Sequence, residues 1–420
     1  MPTRGPRNAS FESFAHIGEA VTTFSVRFLG CKVSYSDADE IRERLLADGH
    51  EEAAAGKAEV ALVNTCCVTR EAVGKSRQAA AKAARTHKRV YVTGCGAGLD
   101  EAFAGLAENV IVVPRGETAA SELVASMLGS GHKVDLAPRP KRVRAFVTIQ
   151  DGCSFRCSYC VVPLVRGPGR SKPAEAVLGE VRRRVEQGHK EVVLSGINLG
   201  CFRDSEAGIS LAALVREAGT TPGLERLRLS SIEVNHLGAD LIAAIRETPV
   251  ACGHLHVPLQ SGDDGILHAM KRRYDSSTFL RRLEGLEDFN LTSDVIVGFP
   301  GEDETAFQHT LDLVERAKIT KLHVFPYSPR PGTATASEDD VPARVKKERA
   351  SSVREASKNA CFRRWRGKIG TEESVLIDRP GRGYADDYTP WLVQGPVGDV
   401  VRARAESVSE DGIVASMVRP

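Results

Sequence analysis

Apolar residues in the first third of the chain come in short runs separated by longer amphipathic stretches. Thr23 to Leu29, Val60 to Val63, Val90 to Thr93 and Val110 to Val113 are β-rich runs of the length expected for buried strands. Helical patterns lie between them. Asp37 and Glu40 form a candidate capping pair for a helix that carries Ile41 and Leu45 and stops at Gly49. The Ala-rich stretch from Glu71 to Arg85 predicts a second helix, and a third follows Val113 and runs through Leu128. Strand–helix alternation predicts a parallel α/β sheet, and such sheets gather ligands beyond the carboxyl ends of their strands. Cys31, Cys66 and Cys95 each stand just past such an end.

His132 to Arg144, rich in Pro, Lys and Arg, reads as a basic linker. Alternation then resumes. Candidate strands are Ala145–Gln150, Glu191–Ser195, Arg226–Ser230, His254–Val257, Asp294–Val297 and Lys321–Phe325, with helical stretches such as Pro173 to Gln187 between them. These are six βα units where a closed barrel needs eight, so the pattern predicts an open, partial (β/α)6 barrel with its active site at the C-terminal strand ends. Val341 to Lys368 reads as a helix. Val375–Ile377, Trp391–Val393, Val400–Ala405 and Ile413–Met417 read as strands of a small all-β barrel. The predicted division is 22–132, 139–366 and 367–420, an α/β chain throughout its first two parts.

Composition adds the compartment and hides a contrast. No apolar run reaches the ~18 residues of a membrane span, and the first residues hold no apolar signal core. The expected location is therefore cytoplasmic, without a membrane partner. Thiols stay reduced there, so ten cysteines point to metal or redox chemistry rather than disulfides. The net charge is only +2. Yet Val341 to Lys368 carries ten Lys and Arg against two Glu, a net +8, while Ile369 to Pro420 carries five Arg against nine acids, a net −4. The basic helix suits the sequence-independent part of RNA binding, and the acidic module suits a basic protein substrate.

The sharpest chemical signal is Cys153-Ser-Phe-Arg-Cys157-Ser-Tyr-Cys160, directly after the first barrel strand. Three thiolates at this spacing hold three irons of one [4Fe–4S] cluster and leave the fourth open to a substrate. Zinc favours four ligands and paired C-x2-C spacing. This loop resembles the signature of the radical SAM enzymes. Gly30-Cys31, Asn64-Thr65-Cys66, Thr93-Gly94-Cys95, Gln150-Asp151-Gly152-Cys153, Ser195-Gly196-Ile-Asn198, Leu229-Ser-Ser-Ile-Glu233, Pro258-Leu-Gln260-Ser-Gly262 and Asp294-Val-Ile-Val-Gly298 extend the likeness. Together they resemble the methylthiotransferase family of that superfamily.

The resemblance implies two [4Fe–4S] clusters and S-adenosyl-L-methionine (SAM) as cofactors. Cys153, Cys157 and Cys160 would hold the catalytic cluster, and Cys31, Cys66 and Cys95 the second, whose open iron would take the sulfur species. Cys67 is an alternative to Cys66, and Ser34 stands where the family usually has Asn. Gly196, Asn198, Glu233, Gln260 and Gly298 are the candidate SAM contacts, although turns, a helix cap and plain packing also explain them. Gly298 would let adenine approach the backbone. His254 and His256 share a strand face and read as barrel packing. Arg273 could meet phosphate. Cys201, Cys252 and Cys361 match no ligand position and read as small buried hydrophobes.

Lys32, Val68-Thr69, Lys75-Ser76-Arg77-Gln78 and Leu259-Gln-Ser-Gly262 most resemble the branch that adds a methylthio group to carbon 2 of N6-threonylcarbamoyladenosine beside the tRNA anticodon. The implied partners are the tRNA anticodon stem-loop, an electron donor such as flavodoxin or ferredoxin, and a sulfur donor. The final module resembles a TRAM domain through Gly383-Tyr384, Asp387-Tyr388 and Trp391. Alternatives are the N6-isopentenyladenosine branch, the branch that modifies an aspartate of a ribosomal protein, and a non-catalytic Fe–S protein that binds tRNA.

Overall fold

The computed structural model describes residues 21–99, 101–113, 124 and 142–418. The chain divides into two compact units, Met1–Cys67 with Glu71–Pro138, and Val68–Arg70 with Arg139–Pro420.

The first unit is a parallel sheet of β1 (Thr23–Phe28), β2 (Glu51–Glu52), β3 (Val60–Thr65), β4 (Arg89–Gly94) and β5 (Val110–Val112), in the order 2-1-3-4-5. Alternate residues of the central strands serve opposite faces, as strand geometry requires. Val60, Leu62 and Tyr91 pack with Ile41 and Leu45, while Ala61, Val63, Val90 and Val92 pack with Ala80. One expectation fails here. The first helix spans Lys32–Ala47 with Cys31 as its N-terminal cap residue, so Asp37 and Glu40 lie inside it and cap nothing. The turn at Gly30, with φ +156°, starts the helix at once. The expected helix through Leu128 and the basic linker fall mostly outside the described residues.

In the second unit, β6 (Arg144–Asp151), β8 (Glu191–Gly196) and β11 (Arg226–Leu229) pair in parallel. So do β12 (His254–His256), β13 (Asn290–Val297) and β14 (Lys321–Pro326). Parallel bridges from Leu227 to Ala251 and from Ser231 to His256 join the two sets. The result is six consecutive parallel strands in an open barrel. Short β7 (Arg170–Ser171) pairs antiparallel with β6, and β9 (Arg203–Asp204) with β10 (Ile209–Ser210) makes a small hairpin. Beyond the barrel, β15 (Glu372–Arg379), β16 (Arg382–Ala385), β17 (Pro390–Leu392), β18 (Val400–Ser409) and β19 (Gly412–Met417) close into a barrel around the fully buried Trp391. The sequence pattern missed β16. Its Gly383 sits so close to Leu376 that a Cβ would lie 2.4 Å from the Leu376 carbonyl oxygen, which a hydrophobic pattern does not reveal.

The small barrel docks on the N-terminal ends of the large barrel's strands. Arg226, at the start of β11, donates to the carbonyls of Tyr384 (2.8 Å) and Ser374. Arg144, at the start of β6, lies over the rings of Tyr384 and Tyr388, and Arg228 lies over Tyr388. Asn290 donates to the carbonyl of Asp387 at 2.7 Å, and Gly253 N–H to the Asp386 carboxylate at 2.8 Å. Tyr384, Asp387 and Tyr388 are therefore docking residues. Docking also explains both charged tracts. Of the ten cations from Val341 to Lys368, Lys346 meets Asp339, Arg349 meets Glu302, Lys358 meets Glu410, and Arg364 and Lys368 both meet Asp387. With Arg344 beside Glu348 of the same helix, six of the ten cations are engaged within the protein. Asp387 and Glu410 of the small barrel answer three of them, Lys358, Arg364 and Lys368.

At the centre of this junction Glu191 is fully buried between Arg228 (2.7 Å), Arg144 (3.3 Å) and Arg226 (3.7 Å). Burial alone would raise its pKa, but Arg228, Arg144 and Arg226 outweigh burial and bring it down to about 2. Its folded value lies below the ordinary 4.5, so its stabilising contribution is complete above that pH and is lost as pH falls toward 2. Glu191→Gln leaves three arginines facing a neutral amide. Thermal or urea unfolding at neutral pH is expected to show a loss of about 3–5 kcal/mol, and the deficit should shrink as the pH falls through the window from 4.5 to 2. A neutral-pH loss below the level of an exposed ion pair would contradict the role given to Glu191.

Candidate functional site

The second unit presents its thiols at the C-terminal end of β6. Gly152 turns the chain there with φ +70°, and a Cβ on it would lie 2.1 Å from the Pro168 carbonyl oxygen. Only glycine fits both the conformation and the space. Arg166, buried, donates to Asp151 at 2.7 Å, and Asp151 accepts from Gly152 N–H at 2.8 Å. Cys153 N–H donates to the Gly167 carbonyl at 3.0 Å. Ser158 anchors the far side, with its N–H to the Met270 carbonyl and its hydroxyl to the Ala269 carbonyl. Asp151-Gly152 and Arg166-Gly167 thus form one clasp under the cysteine loop.

The thiols of this loop crowd one another. Burial, then the neighbouring Cys157 and Cys153, push the Cys160 thiol up to about 12. Burial, and to a smaller extent Cys157, raises Cys153 as well. Cys153 and Cys160 are thus poor free acids, and the three thiols together are a good set of donors for a cationic iron cluster, whose charge would favour the thiolates. Arg272 donates to the Cys157 sulfur at 3.5 Å and to the Tyr274 hydroxyl at 3.1 Å, and stands 3.6 Å from Glu233. Sequence reading looked to Arg273. That residue instead stacks its guanidinium 4.0 Å over the Phe155 ring. A single position in a run of three cations decides which one is buried, and no spacing rule distinguishes them.

The candidate SAM contacts surround the loop unevenly. Gly196 ends β8 against Gln150, 3.2 Å from its Oε1 for a notional Cβ. Asn198 N–H donates to Gln150 Oε1 at 2.7 Å, and its side chain lies close enough to the Cys153 thiol to oppose the effect of burial on it. Gln260 holds a left-handed backbone, φ +69°, bridged to β13 by its N–H to the Asp294 carbonyl. Glu233 caps the turn Val234–His236, accepting from Asn235 N–H at 3.3 Å, so the cap reading describes it. Gly298 has φ +70° and its open side is filled by the Lys346 stem, 2.3 Å from a notional Cβ. A side chain at this position would meet that stem. Cys201 is exposed rather than buried, with its sulfur 3.4 Å from His236 Nε2. Cys361 donates to the Thr320 carbonyl at 3.1 Å, and Cys252 is buried as expected.

In the first unit, adjacent β1, β3 and β4 end together, so Cys31, Cys66 and Cys95 leave the same edge of the sheet. The three loops are stitched to one another. Ser34 donates to Asn64 Oδ1 at 2.6 Å, so the serine itself supplies a bond from the first loop to the second. Thr65 donates to the Thr93 carbonyl at 2.6 Å. A Cβ on Gly94 or Gly96 would lie 2.7 Å from the Thr65 carbonyl or hydroxyl oxygen, so both glycines admit the second loop. Cys67 is fully buried while Cys66 is half-buried, which favours Cys66 as the donor. Among the described residues the Asn64 amide nitrogen is buried without an acceptor. A donor left open beside three thiols suits a sulfide-bearing group.

Residues 147–314 match the family model described as Radical SAM superfamily, and residues 23–112 match the one described as Uncharacterized protein family UPF0004. The threonylcarbamoyladenosine tRNA methylthiotransferase MtaB of Thermotoga maritima is 34% identical, over 94% of this chain and 96% of that one. The chain belongs to the radical SAM methylthiotransferase family. A tRNA-2-methylthio-N(6)-dimethylallyladenosine synthase from Solibacter usitatus is 32% identical, over 86% and 87% of the two chains. Among solved structures, the radical S-adenosylmethionine methyltransferase TsrM from Kitasatospora setae shares the fold with a TM-score of 0.55 at 15% identity, over 76% and 77% of the two chains. The methylthiotransferase family is enzymatic, which sets the non-catalytic reading aside. No helix among the described residues is long and apolar enough to cross a membrane.

The clasp can be tested in this methylthiotransferase by comparing two glycines of nearly equal φ. Gly208 has φ +71° and open space around it, so Gly208→Ala should cost only the left-handed penalty of ~1–2 kcal/mol. Gly152→Ala adds the clash with the Pro168 carbonyl and should unfold at a clearly lower temperature than Gly208→Ala. Equal melting temperatures would show that the loop yields freely.

Proposed function

We propose that this enzyme adds a methylthio group to carbon 2 of N6-threonylcarbamoyladenosine beside the tRNA anticodon, using SAM and two [4Fe–4S] clusters. The observation that carries the reading is the similarity to the threonylcarbamoyladenosine enzyme of Thermotoga maritima along almost the whole of both chains. In this reading residues 22–132 form the sulfur-cluster domain, 139–366 the catalytic barrel and 367–420 a TRAM-like module. Cys153, Cys157 and Cys160 hold one cluster, and Cys31, Cys66 and Cys95 the other. A flavodoxin or ferredoxin supplies electrons, and a separate donor supplies sulfur.

The clusters and SAM bring the chemistry that activates an unreactive C–H and delivers sulfur, and the protein binds, orients and shields them. Arg272 holds its positive charge against the Cys157 sulfur, and Glu233 and Tyr274 keep that guanidinium in place. Asn198 orients Cys153. Gly196, Asn198 and Gln260 offer polar backbone and side-chain atoms to SAM. Tyr388 of the small barrel packs on His254 of β12, with ring centroids 5.1 Å apart.

Modification of dimethylallyladenosine is the second reading, favoured by relatives of that name at 32% identity and above. The acidic module no longer favours a ribosomal-protein substrate, because Glu373, Asp387 and Glu410 are paired with cations of the protein itself. Deletion of the gene followed by mass spectrometry of digested total tRNA separates the readings. The methylthio-threonylcarbamoyl nucleoside should disappear and its unthiolated precursor accumulate. Loss of the methylthio-dimethylallyl nucleoside would transfer the assignment to the second reading, and unchanged levels of both would overturn each.

A further inference from the structure

Thr292, Asp294 and Ile296 of β13 alternate with Leu291, Val295 and Val297, of which the last three pack in the core between strands and helices. Leu255 of β12 and Leu322 of β14 lie in the same core. The intervening residues therefore face the lumen of the open barrel. The register pairs His256 with Thr292, and Asp294 with His323, so three adjacent strands bring His256, Asp294 and His323 to one place in that lumen.

One ligand atom from each of these three residues lies within 4.8 Å of the others. His256 Nε2 stands 3.2 Å from Asp294 Oδ1, and the rings of His256 and His323 lie 5.6 Å apart between centroids. The other nitrogen of His256, Nδ1, is hydrogen-bonded to the Thr292 hydroxyl at 2.9 Å, and the same hydroxyl meets His254 Nε2 at 3.0 Å. That outer partner fixes the His256 ring with Nε2 toward the carboxylate, the arrangement by which proteins orient metal-bound histidines. His323 is exposed while His256 is buried, which leaves a path for an ion from the open side of the barrel.

We propose that His256, Asp294 and His323 form a mononuclear site for a divalent transition metal, separate from both cysteine triplets. Two imidazoles and one carboxylate suit zinc or ferrous iron, whereas magnesium and calcium call for oxygen donors throughout. Three protein ligands leave a coordination position free for a water or a substrate oxygen. The site sits directly beneath the turn of Gln260, whose N–H is bonded to the Asp294 carbonyl at 2.9 Å. Sequence spacing hides this set. His323 lies on a different strand from His256, and only the barrel's register joins them.

Zinc is the probe. The holoenzyme, reconstituted with iron and sulfide under anaerobic conditions and freed of loose metal by chelator and gel filtration, is titrated with Zn(II) against a chromogenic chelator. The wild type should bind one more zinc per chain than either His323→Asn or Asp294→Asn, or bind it more than about tenfold tighter, since even outer-shell partners of metal sites are worth ~10–100-fold. Iron and sulfide contents should be equal in all three proteins. His323 is exposed, so His323→Asn tests the site without disturbing the core, and a matching melting temperature confirms its fold. No zinc bound by the wild type, or the same stoichiometry and affinity in both variants, would overturn the proposal and leave His256 and Asp294 as a simple polar contact.

Discussion

Glu191 ties the base of the large barrel to the small barrel. Its carboxylate lies at the N-terminal end of β8 with no exposed side-chain surface and three arginines around it. A buried cluster of this kind holds together only while every member stays paired. The same arginines reach on to the carbonyls and rings of the small barrel, so one carboxylate organises both the base of the large barrel and its partner. With the small barrel docked at the N-terminal strand ends, the cysteine loop stands at the opposite, C-terminal end of β6. Parallel pairing makes that possible. Every strand carries its loop to the same edge, where a turn such as Gly152 can aim a thiol.

Much of this was legible in the residues. Short apolar runs at regular intervals disclosed the parallel strands, because strands buried on both faces must be apolar on both. The cysteines stood at the ends of those runs, and their placement required no knowledge of tertiary contacts. Interactions between residues distant in sequence were not legible. The helix Ala343–Arg366 looked like a surface for nucleic acid because its partners, Glu302, Asp387 and Glu410, lie far away in the chain. The Asp37–Glu40 pair obeyed a local capping rule but lost to an earlier start fixed by Gly30. In the run 271–273, packing rather than spacing chose Arg272 as the cation that meets a cysteine.

The two cysteine sets are prepared in different ways. In the second unit one continuous loop supplies all three thiols, and a clasp of Asp151, Gly152, Arg166 and Gly167 sets its path. In the first unit three separate loops must meet, and hydrogen bonds from Ser34 and Thr65 with close approach at Gly94 and Gly96 hold them. The first arrangement rests on local chain geometry, the second on sheet order. Disturbing the order of β1, β3 and β4 would disperse one set and leave the other intact.

Iron content measured by Mössbauer spectroscopy on protein reconstituted with iron-57 tests the two-cluster account most directly. Two [4Fe–4S] clusters require about eight irons per chain. The account predicts that the triple variant Cys31→Ala, Cys66→Ala and Cys95→Ala retains about half of that iron. The variant Cys153→Ala, Cys157→Ala and Cys160→Ala should retain the complementary half, and each should keep the spectrum of a [4Fe–4S] cluster. A wild type holding only about four irons, all of them lost with Cys153, Cys157 and Cys160 and none with Cys31, Cys66 and Cys95, would contradict it.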